Sequence, residues 1–287
     1  MREHPSVILE HSGFCAVIEP DRFVPGSYQL VVDGTPQSHV DVDDPTHLFF
    51  EYIQRMGSVI DLIGMPGQPI TAVHLGAGAL TLPRYIHATR PGSRQQVIEL
   101  ESRLVDLVRE TIPLPRDAQI RIRYGDAREA LGRLPAGLRG TVDLVVADIF
   151  SGSRTPAHVT SVEFYREAAA LLSPTGIVLV NVADGPPLRF ARAQAATVAA
   201  VLPHAIAMAE VGVLKGRRFG NIVLAASAAE LPTEWLPRLL ATGPHPAKLV
   251  VGDEFAEFIR PASVVTDATA VASPLPARSY FATKPRE

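Results

Sequence analysis

Thr71-Ala72-Val73-His74-Leu75-Gly76-Ala77-Gly78-Ala79-Leu80-Thr81-Leu82-Pro83-Arg84 is the stretch that decides the fold. It has the pattern of a short buried strand, a tight turn and the first turn of a helix. Gly76 and Gly78 allow the backbone to bend sharply and to approach a ligand closely. The helix that follows would present free N–H groups to a polar or anionic ligand. The pattern predicts the first strand–turn–helix unit of a Rossmann-like sheet.

A second strand, 95–99, ends in an acid roughly 20 residues beyond the glycines, the spacing typical of dinucleotide-binding units. An acid at this place commonly binds ribose hydroxyls. The glycine turn alone is weak evidence, because many such units use glycine only for close packing. Together, the turn and Glu99 favour a nucleoside-binding site over a purely structural turn.

Strands and helices alternate downstream of this stretch, as the apolar periodicity shows. The predicted strands are 72–75, 95–99, 120–124, 142–148, 176–182, 205–210 and 221–225. Such alternation specifies a parallel sheet with helices on both faces. The last two strands are joined by a short connection, 215–218, and form a terminal antiparallel pair. The predicted fold is therefore α/β and Rossmann-like.

A small β domain is predicted to precede this sheet. Its strands flank a turn at Ser12-Gly13 and end at Asp33-Gly34, which is a strong turn signal. After residue 230 prolines become frequent and the periodicity weakens. We therefore predict an N-terminal β-hairpin domain at 1–45, a Rossmann-like nucleoside-binding catalytic domain at 46–230, and a C-terminal extension at 231–287 with short helices and an irregular tail.

The composition is that of a globular protein. Of 287 residues, 47% are hydrophobic and 25 are proline, and the formal net charge is −3. A weakly acidic chain gives no reason to expect a nucleic-acid or membrane partner. The single cysteine, Cys15, excludes an internal disulfide and fits a reducing compartment. We expect a cytoplasmic protein without a signal peptide or membrane-spanning segment, and without a metal, because the histidines show no metal-ligand spacing.

Acids stand at several strand ends, where ligands of open α/β sheets bind. We assign Glu99 to a ribose and Asp126 to an adenine amine, although Asp126 could simply cap the helix that begins after it. Asp148 ends the most hydrophobic strand, so burial should raise its pKa and suit it to act as a base toward an amine. The loop after it, 149–158, is long enough to close over a substrate. His74, inside a strand, is better explained as a hydrogen-bonded core residue than as a ligand-binding one.

In this order of motifs the chain resembles the spermidine synthase (aminopropyltransferase) family, over roughly residues 7–225. The nucleoside half is shared with class I S-adenosylmethionine-dependent methyltransferases, and the N-terminal hairpins with Gln37 favour the narrower family. The resemblance implies a donor, decarboxylated S-adenosylmethionine or S-adenosylmethionine, used as co-substrate, and a small-molecule amine as acceptor. It implies that Asp148 helps to deprotonate the amine, and we expect a homodimer. The residues implied to bind the donor are Gly76, Gly78, Glu99, Gly125, Asp126 and Gln37.

The departures from the family concern the substrate. In the family, the glycine loop carries an acid where the methionine carboxylate would fall, and this acid favours the decarboxylated donor. Ala79 stands in its place here, so that reason to prefer the decarboxylated donor is absent. The gate after Asp148 lacks its second acid, and we name Asp184, Glu51 and His158 as substrate-binding residues. The sequence predicts aminopropyl transfer to an amine. Two alternatives stay open: a methyltransferase, favoured by Ala79, and a non-catalytic nucleoside-binding homologue, favoured by the missing acid.

Overall fold

The structure, a computed structural model, describes residues 4–276, which form two β-sheets and the helices packed on them. The N-terminal sheet is antiparallel, and its strands follow the order of the chain: β1 (Ser6–Ile8), β2 (Cys15–Pro20), β3 (Ser27–Val32) and β4 (Thr35–Asp41). Ile18, Leu30 and Val32 are buried on its inner face. Leu30 and Val32 follow the strand period of two along β3, and Ile18 on β2 is paired with Leu30.

The central sheet contains the strands β5 (Thr71–Leu75), β6 (Arg94–Glu99), β7 (Ile120–Tyr124), β8 (Val142–Ala147), β9 (Leu172–Asp184), β10 (His204–Ala209), β11 (Gly220–Ser227) and β12 (Lys248–Val250). Their spatial order is β12-β10-β11-β9-β8-β5-β6-β7. Neighbouring strands pair in parallel through β9, β8, β5, β6 and β7. The pairs β9–β11, β11–β10 and β10–β12 are antiparallel. The carboxyl ends of the parallel strands therefore meet at one edge of the sheet.

Helices cover both faces of the central sheet. They are α1 (Glu51–Asp61), α2 (Thr81–Thr89), α3 (Ser102–Thr111), α4 (Ala127–Arg133), α5 (Val162–Ala169), α6 (Arg189–Ala199), α7 (Val211–Leu214), α8 (Leu236–Leu240) and α9 (Asp253–Ile259). One apolar cluster joins α1, α2 and α8 to one face of the sheet, and a second joins α4, α5, α6 and α9 to the other. A third cluster joins α3 to the N-terminal sheet. Residues of all three clusters line the cavity described below.

The predicted α/β fold class is confirmed, with three additions. β4 was not predicted, because Thr35-Pro36-Gln37-Ser38 is polar and contains a proline. The three-residue strand β12 pairs with β10 and extends the predicted terminal antiparallel pair to three strands. The connection between β10 and β11 contains α7. Each of these elements is too short or too polar to show a periodic apolar pattern.

The domain limits at residues 45 and 230 remain a prediction. The segment from 231 to 276 contains α8, β12 and α9, and the rest of the predicted irregular tail lies outside the described residues. Between residues 4 and 276, every helix falls short of the length and apolar character that crossing a membrane would require.

Candidate functional site

A cavity lies at the carboxyl edge of β5, β6, β7 and β8, and residues of the N-terminal sheet form one of its walls. This edge is where open α/β sheets bind their ligands. Most of the residues that the sequence predicted for the site line this cavity: Gln37, Gly76, Gly78, Glu99, Gly125, Asp126, Asp148 and His158. Their roles in binding remain predictions, and the structure shows how each side chain is held.

The glycine turn brings two strand ends into direct contact. Gly76 has φ +96°, and a Cβ atom on it would lie 2.2 Å from the carbonyl oxygen of Asp148. The Asp148 N–H donates to the carbonyl of Leu75 at 3.0 Å, so the ladder between β5 and β8 continues to Asp148. Only glycine combines this backbone conformation with so close an approach. The turn thus fixes the position of Asp148.

Glu99 supports the glycine turn from β6. Its carboxylate accepts hydrogen bonds from the N–H groups of Ala77, at 2.8 Å, and Glu101, at 3.0 Å, one on each oxygen. Burial raises the pKa of Glu99, although these hydrogen bonds oppose the shift. Each carboxylate oxygen has a second lone pair. Because Glu99 lines the cavity, these lone pairs can accept hydrogen bonds from two neighbouring hydroxyls.

Asp126 has two roles in the structure. It is the N-cap of α4, where one oxygen accepts the N–H groups of Arg128 and Glu129. The other oxygen lies 2.7 Å from Nε2 of His158, in the loop that follows Asp148. Burial opposes a low pKa, but the bonds from Glu129 and His158 outweigh it, and the pKa of Asp126 is lowered. The capping role foreseen for Asp126 is thus present, and His158 occupies the oxygen that faces it.

Asp148 is held by two polar side chains. Asn181 donates to its carboxylate at 2.9 Å, and the phenol of Tyr52 on α1 forms a second hydrogen bond. Burial raises the pKa of Asp148 to about 6, against the effect of both hydrogen bonds. A carboxylate with this pKa is ionised at neutral pH and is a better proton acceptor than an ordinary aspartate. The sequence does not predict a role for Tyr52 at the site, because its contact with Asp148 depends on tertiary packing.

The loop after Asp148 is tied down on two sides. Gln37 on β4 donates to the carbonyl of Gly152 at 3.1 Å, and the ring of Phe14 packs against this glycine. On the other side, the N–H of Thr155 donates to the hydroxyl of Ser273, and the guanidinium of Arg154 donates to the backbone carbonyl of Ser273. The loop thus joins the N-terminal sheet to the C-terminal segment. The part played by Ser273 was not foreseen, since nothing in that segment's sequence marks it.

Three sequence-based expectations concern residues that lie elsewhere. Glu51 begins α1 but lines a separate depression between α1 and α8. Asp184 is buried, and its carboxylate accepts the N–H group of Gly185, the next residue, and that of Ala191 in the first turn of α6. Ala79 packs in the apolar cluster with α3 and is not part of the cavity wall. The absence of an acid at position 79 therefore gives no direct argument about the donor's carboxylate.

The described side chains that line the cavity include four carboxylates but no Lys or Arg; the acids are Glu99, Glu101, Asp126 and Asp148. Glu101 accepts the N–H groups of His11 and Ser12, so it holds the N-terminal sheet beside the cavity. A cavity lined by acids without a compensating cation favours a positively charged ligand. Within residues 4–276, no group of three or more His, Cys, Asp or Glu side chains is placed to hold a metal ion.

Comparison with solved structures adds to this geometry. A probable spermidine synthase from Corynebacterium glutamicum superposes with a TM-score of 0.83 at 28% identity, covering 93% of this chain and 97% of that one. The chain resembles the spermidine synthases. A spermidine synthase in complex with the transition-state analogue AdoDATO has the same fold, with a TM-score of 0.59 at 12% identity, covering 89% of this chain and 86% of that one.

Sequence comparison agrees with the spermidine synthase resemblance. A polyamine aminopropyltransferase of Vibrio vulnificus is 26% identical over 135 residues, which are 47% of this chain and 44% of that protein. The chain thus matches about half the length of the polyamine aminopropyltransferases. No protein-family model matches the chain.

Proposed function

We propose that the protein transfers an alkyl group from the sulfonium of an S-adenosylmethionine-type donor to an amine, and that the group is the aminopropyl chain of decarboxylated S-adenosylmethionine. The observation that carries this proposal is the placement of Asp148. Its carboxylate stands at the end of β8, beside the glycine turn, in a cavity whose charged side chains are acids. This is where a base must stand to take a proton from an amine that attacks a donor bound over that turn.

The donor is placed by the groups around the glycine turn. In this proposal the free lone pairs of Glu99 accept the two ribose hydroxyls, and Asp126 with His158 borders the adenine. Gly76 and Gly78 leave room for the donor beside the backbone. The acidic lining suits a sulfonium cation and an amine, both of which carry positive charge at neutral pH. Gln37 closes the wall by holding the loop that follows Asp148.

The reaction requires little beyond alignment and one base. The amine nitrogen attacks the carbon next to the sulfonium, a C–N bond forms, and the C–S bond breaks with its electron pair moving to sulfur. The products are a neutral thioether nucleoside and an alkylated ammonium. Asp148 accepts the proton that the nitrogen must lose for its lone pair to attack. Proximity and one general base are sufficient because the leaving group is already activated.

Two measurements test this proposal: the identity of any nucleoside that co-purifies with the protein, and its activity with a panel of amines. Purified protein is analysed by mass spectrometry for co-purified nucleosides, then incubated with decarboxylated or intact donor and a panel of amines. Aminopropylated amine with methylthioadenosine is the expected product pair. Methylated amine with S-adenosylhomocysteine would assign the protein to the methyltransferases instead. A bound nucleoside with no turnover of any amine would leave a nucleoside-binding protein.

The pH profile is the first specific prediction. Because burial raises the pKa of Asp148 to about 6, the carboxylate is protonated below this pH and ionised above it. The kcat/KM for the amine should therefore fall as the pH decreases through about 6. The pKa of Glu99 is also raised, so the Glu99→Gln variant is the control and should keep the same acidic limb. Loss of the limb in Glu99→Gln would assign it to Glu99.

Glu99→Gln is the second prediction, and its target is the ribose. Both carboxylate oxygens of Glu99 accept ribose hydroxyls in this proposal, whereas a glutamine has only one acceptor oxygen. The affinity for methylthioadenosine should therefore fall by about tenfold or more. The same substitution also weakens the bonds to the glycine turn, so affinity alone is ambiguous. Calorimetric titration with 2′,3′-dideoxyadenosine resolves this. If Glu99 binds the hydroxyls, the substitution should hardly change the affinity for the dideoxy compound, and an equal loss for both ligands would contradict the assignment.

A further inference from the structure

His74 is a polar residue in an apolar strand, and the proposed reaction does not use it. It is 2% exposed, and its neighbours on β5, Val73 and Leu75, are fully buried. Burial lowers the pKa of His74 to about 4, so the ring is neutral at physiological pH. A buried imidazole costs stability unless its nitrogens are satisfied. Each ring nitrogen therefore needs a hydrogen-bond partner or contact with solvent.

One ring nitrogen, Nε2, has a hydrogen-bond partner within the protein. Nε2 lies 2.9 Å from Oε1 of Gln95, and the Gln95 amide nitrogen donates to the carbonyl of Pro83 at 2.9 Å. A backbone carbonyl can only accept, so the amide of Gln95 has one orientation, with its oxygen toward His74. Nε2 must then carry the hydrogen. In a neutral imidazole this makes Nδ1 an acceptor with a free lone pair.

The other nitrogen opens into the cavity. Nδ1 receives no hydrogen bond from residues 4–276. It is also not among the described polar atoms that are sealed from solvent without a partner, which belong to Ser27, His39, Arg55, Thr155 and Asn181. His74 lines the cavity together with Val146 and Asp148. The lone pair of Nδ1 is therefore accessible from the cavity.

His74 and Asp148 share one face of the sheet. Cα of His74 pairs with Val146 on β8, and Asp148, directly after the last residue of β8, is the next residue on the same face. With strands about 4.8 Å apart and a rise of about 3.3 Å per residue, the Cα atoms of His74 and Asp148 are roughly 8 Å apart. A small group held between the two side chains can reach both.

We propose that Nδ1 of His74 accepts a hydrogen bond from the acceptor amine and so orients its nitrogen for attack. This inference rests on the proposed function and names a second group that holds the nucleophile. Once Asp148 has taken the proton of the ammonium, the neutral primary amine keeps two N–H groups, of which one is donated to the unprotonated oxygen of Asp148 and one to Nδ1 of His74. Its lone pair then points away from both, toward the donor carbon. His74 exchanges no proton, and Asp148 remains the base.

A neutral acceptor has a specific consequence. Once its proton has passed to Asp148, a secondary amine keeps only one N–H, so it cannot donate to both Asp148 and His74, and its nitrogen is no longer held in the orientation for attack. Discrimination between n-butylamine and N-methylbutylamine should therefore depend on His74. In the His74→Leu variant, KM for n-butylamine should rise about tenfold. The preference for n-butylamine over N-methylbutylamine, measured as the ratio of their kcat/KM values, should shrink by a similar factor. The exposed His204 provides the matched control, His204→Leu, which should change neither quantity.

A measurement on the wild type keeps the inference testable if His74→Leu does not fold. Protein labelled with ¹⁵N-histidine is titrated with n-butylamine in the presence of methylthioadenosine, and the ring nitrogens are followed by NMR. We expect the Nε2–H tautomer and a shift of the Nδ1 resonance of His74 as the amine binds. The protonated ring, the Nδ1–H tautomer, or an Nδ1 resonance that no amine shifts would overturn the inference.

The two proposals fail in different ways. If amines shift Nδ1 of His74 but no transfer occurs with any donor, the proposed reaction is wrong and the amine site stands. If transfer occurs while His74→Leu leaves the amine KM and the preference for n-butylamine unchanged, the reaction stands and the role of His74 is wrong. A His74→Leu variant that loses affinity for methylthioadenosine, with an unchanged amine KM, would assign the residue to the donor instead and overturn the inference.

Discussion

Asp148→Asn is expected to lower the rate of amine alkylation by roughly 10²-fold or more, the usual contribution of a general base, while the nucleoside still binds. The substitution keeps one acceptor oxygen for Asn181 or Tyr52 but removes the basic carboxylate. An amine bound at such a site can no longer pass its proton to the residue. The measurement compares kcat for product nucleoside, followed by chromatography, with calorimetric affinity for methylthioadenosine.

The matched control for this prediction lies on the same strand. Asp143, near the start of β8, accepts the Thr71 N–H at 2.8 Å with one oxygen, far along the strand from the cavity. Asp143→Asn makes the same chemical change, can keep that bond, and should leave kcat unaltered. Undiminished turnover in Asp148→Asn would remove Asp148 from the mechanism. An equal loss in both variants would indicate a general effect on β8 rather than loss of a base.

The strand ends were the part of the site that the sequence could predict. Glu99, Asp126 and Asp148 were singled out because polar residues after apolar runs in a parallel sheet must meet at one edge. That rule depends only on the order of the strands and on the periodicity of apolar residues, and both can be predicted from the sequence. The structure places all three on the wall of one cavity.

Contacts made across the fold could not be predicted in this way. Tyr52 lies in a helix whose apolar pattern explains its presence, and nothing local indicates that its hydroxyl reaches Asp148. Gln95 looks like a surface residue of a strand, yet its amide fixes the tautomer of His74. Such contacts depend on the register of β5 against β6 and on where α1 packs. Neither the register nor the packing position of α1 can be predicted from the local sequence.

Side-chain direction in tight turns was the other limit. Ala79 was expected to face the ligand, but the turn continues into Leu80 with φ +62°, and Ala79 packs toward α3 instead. Asp184 was expected at the substrate because it ends a strand, but its carboxylate accepts the N–H groups of Gly185 and of Ala191 in the first turn of α6. An acid at a strand end can cap a helix or bind a ligand, and only the geometry distinguishes these roles.

Gly76→Ala is expected to destabilise the protein by about 3 kcal/mol or more, the sum of backbone strain and overpacking. A Cβ atom at this position would lie 2.2 Å from the carbonyl oxygen of Asp148, a backbone atom that cannot rotate away. The residue also has φ +96°, which side-chain-bearing residues rarely adopt. Relief requires the ends of β5 and β8 to separate. Thermal unfolding should show a decrease in Tm of roughly 6 °C or more.

Gly132→Ala makes the identical change where the structure leaves room. Gly132 lies in α4, where a Cβ atom would meet nothing within 4 Å, and alanine is the better helix former by about 1 kcal/mol. Its Tm should therefore rise slightly while that of Gly76→Ala falls. If Gly76→Ala melts like the wild type, β5 and β8 do not approach each other as described. If it folds stably and binds methylthioadenosine unchanged, the glycine turn does not position the donor, because moving the Asp148 backbone would have altered the cavity.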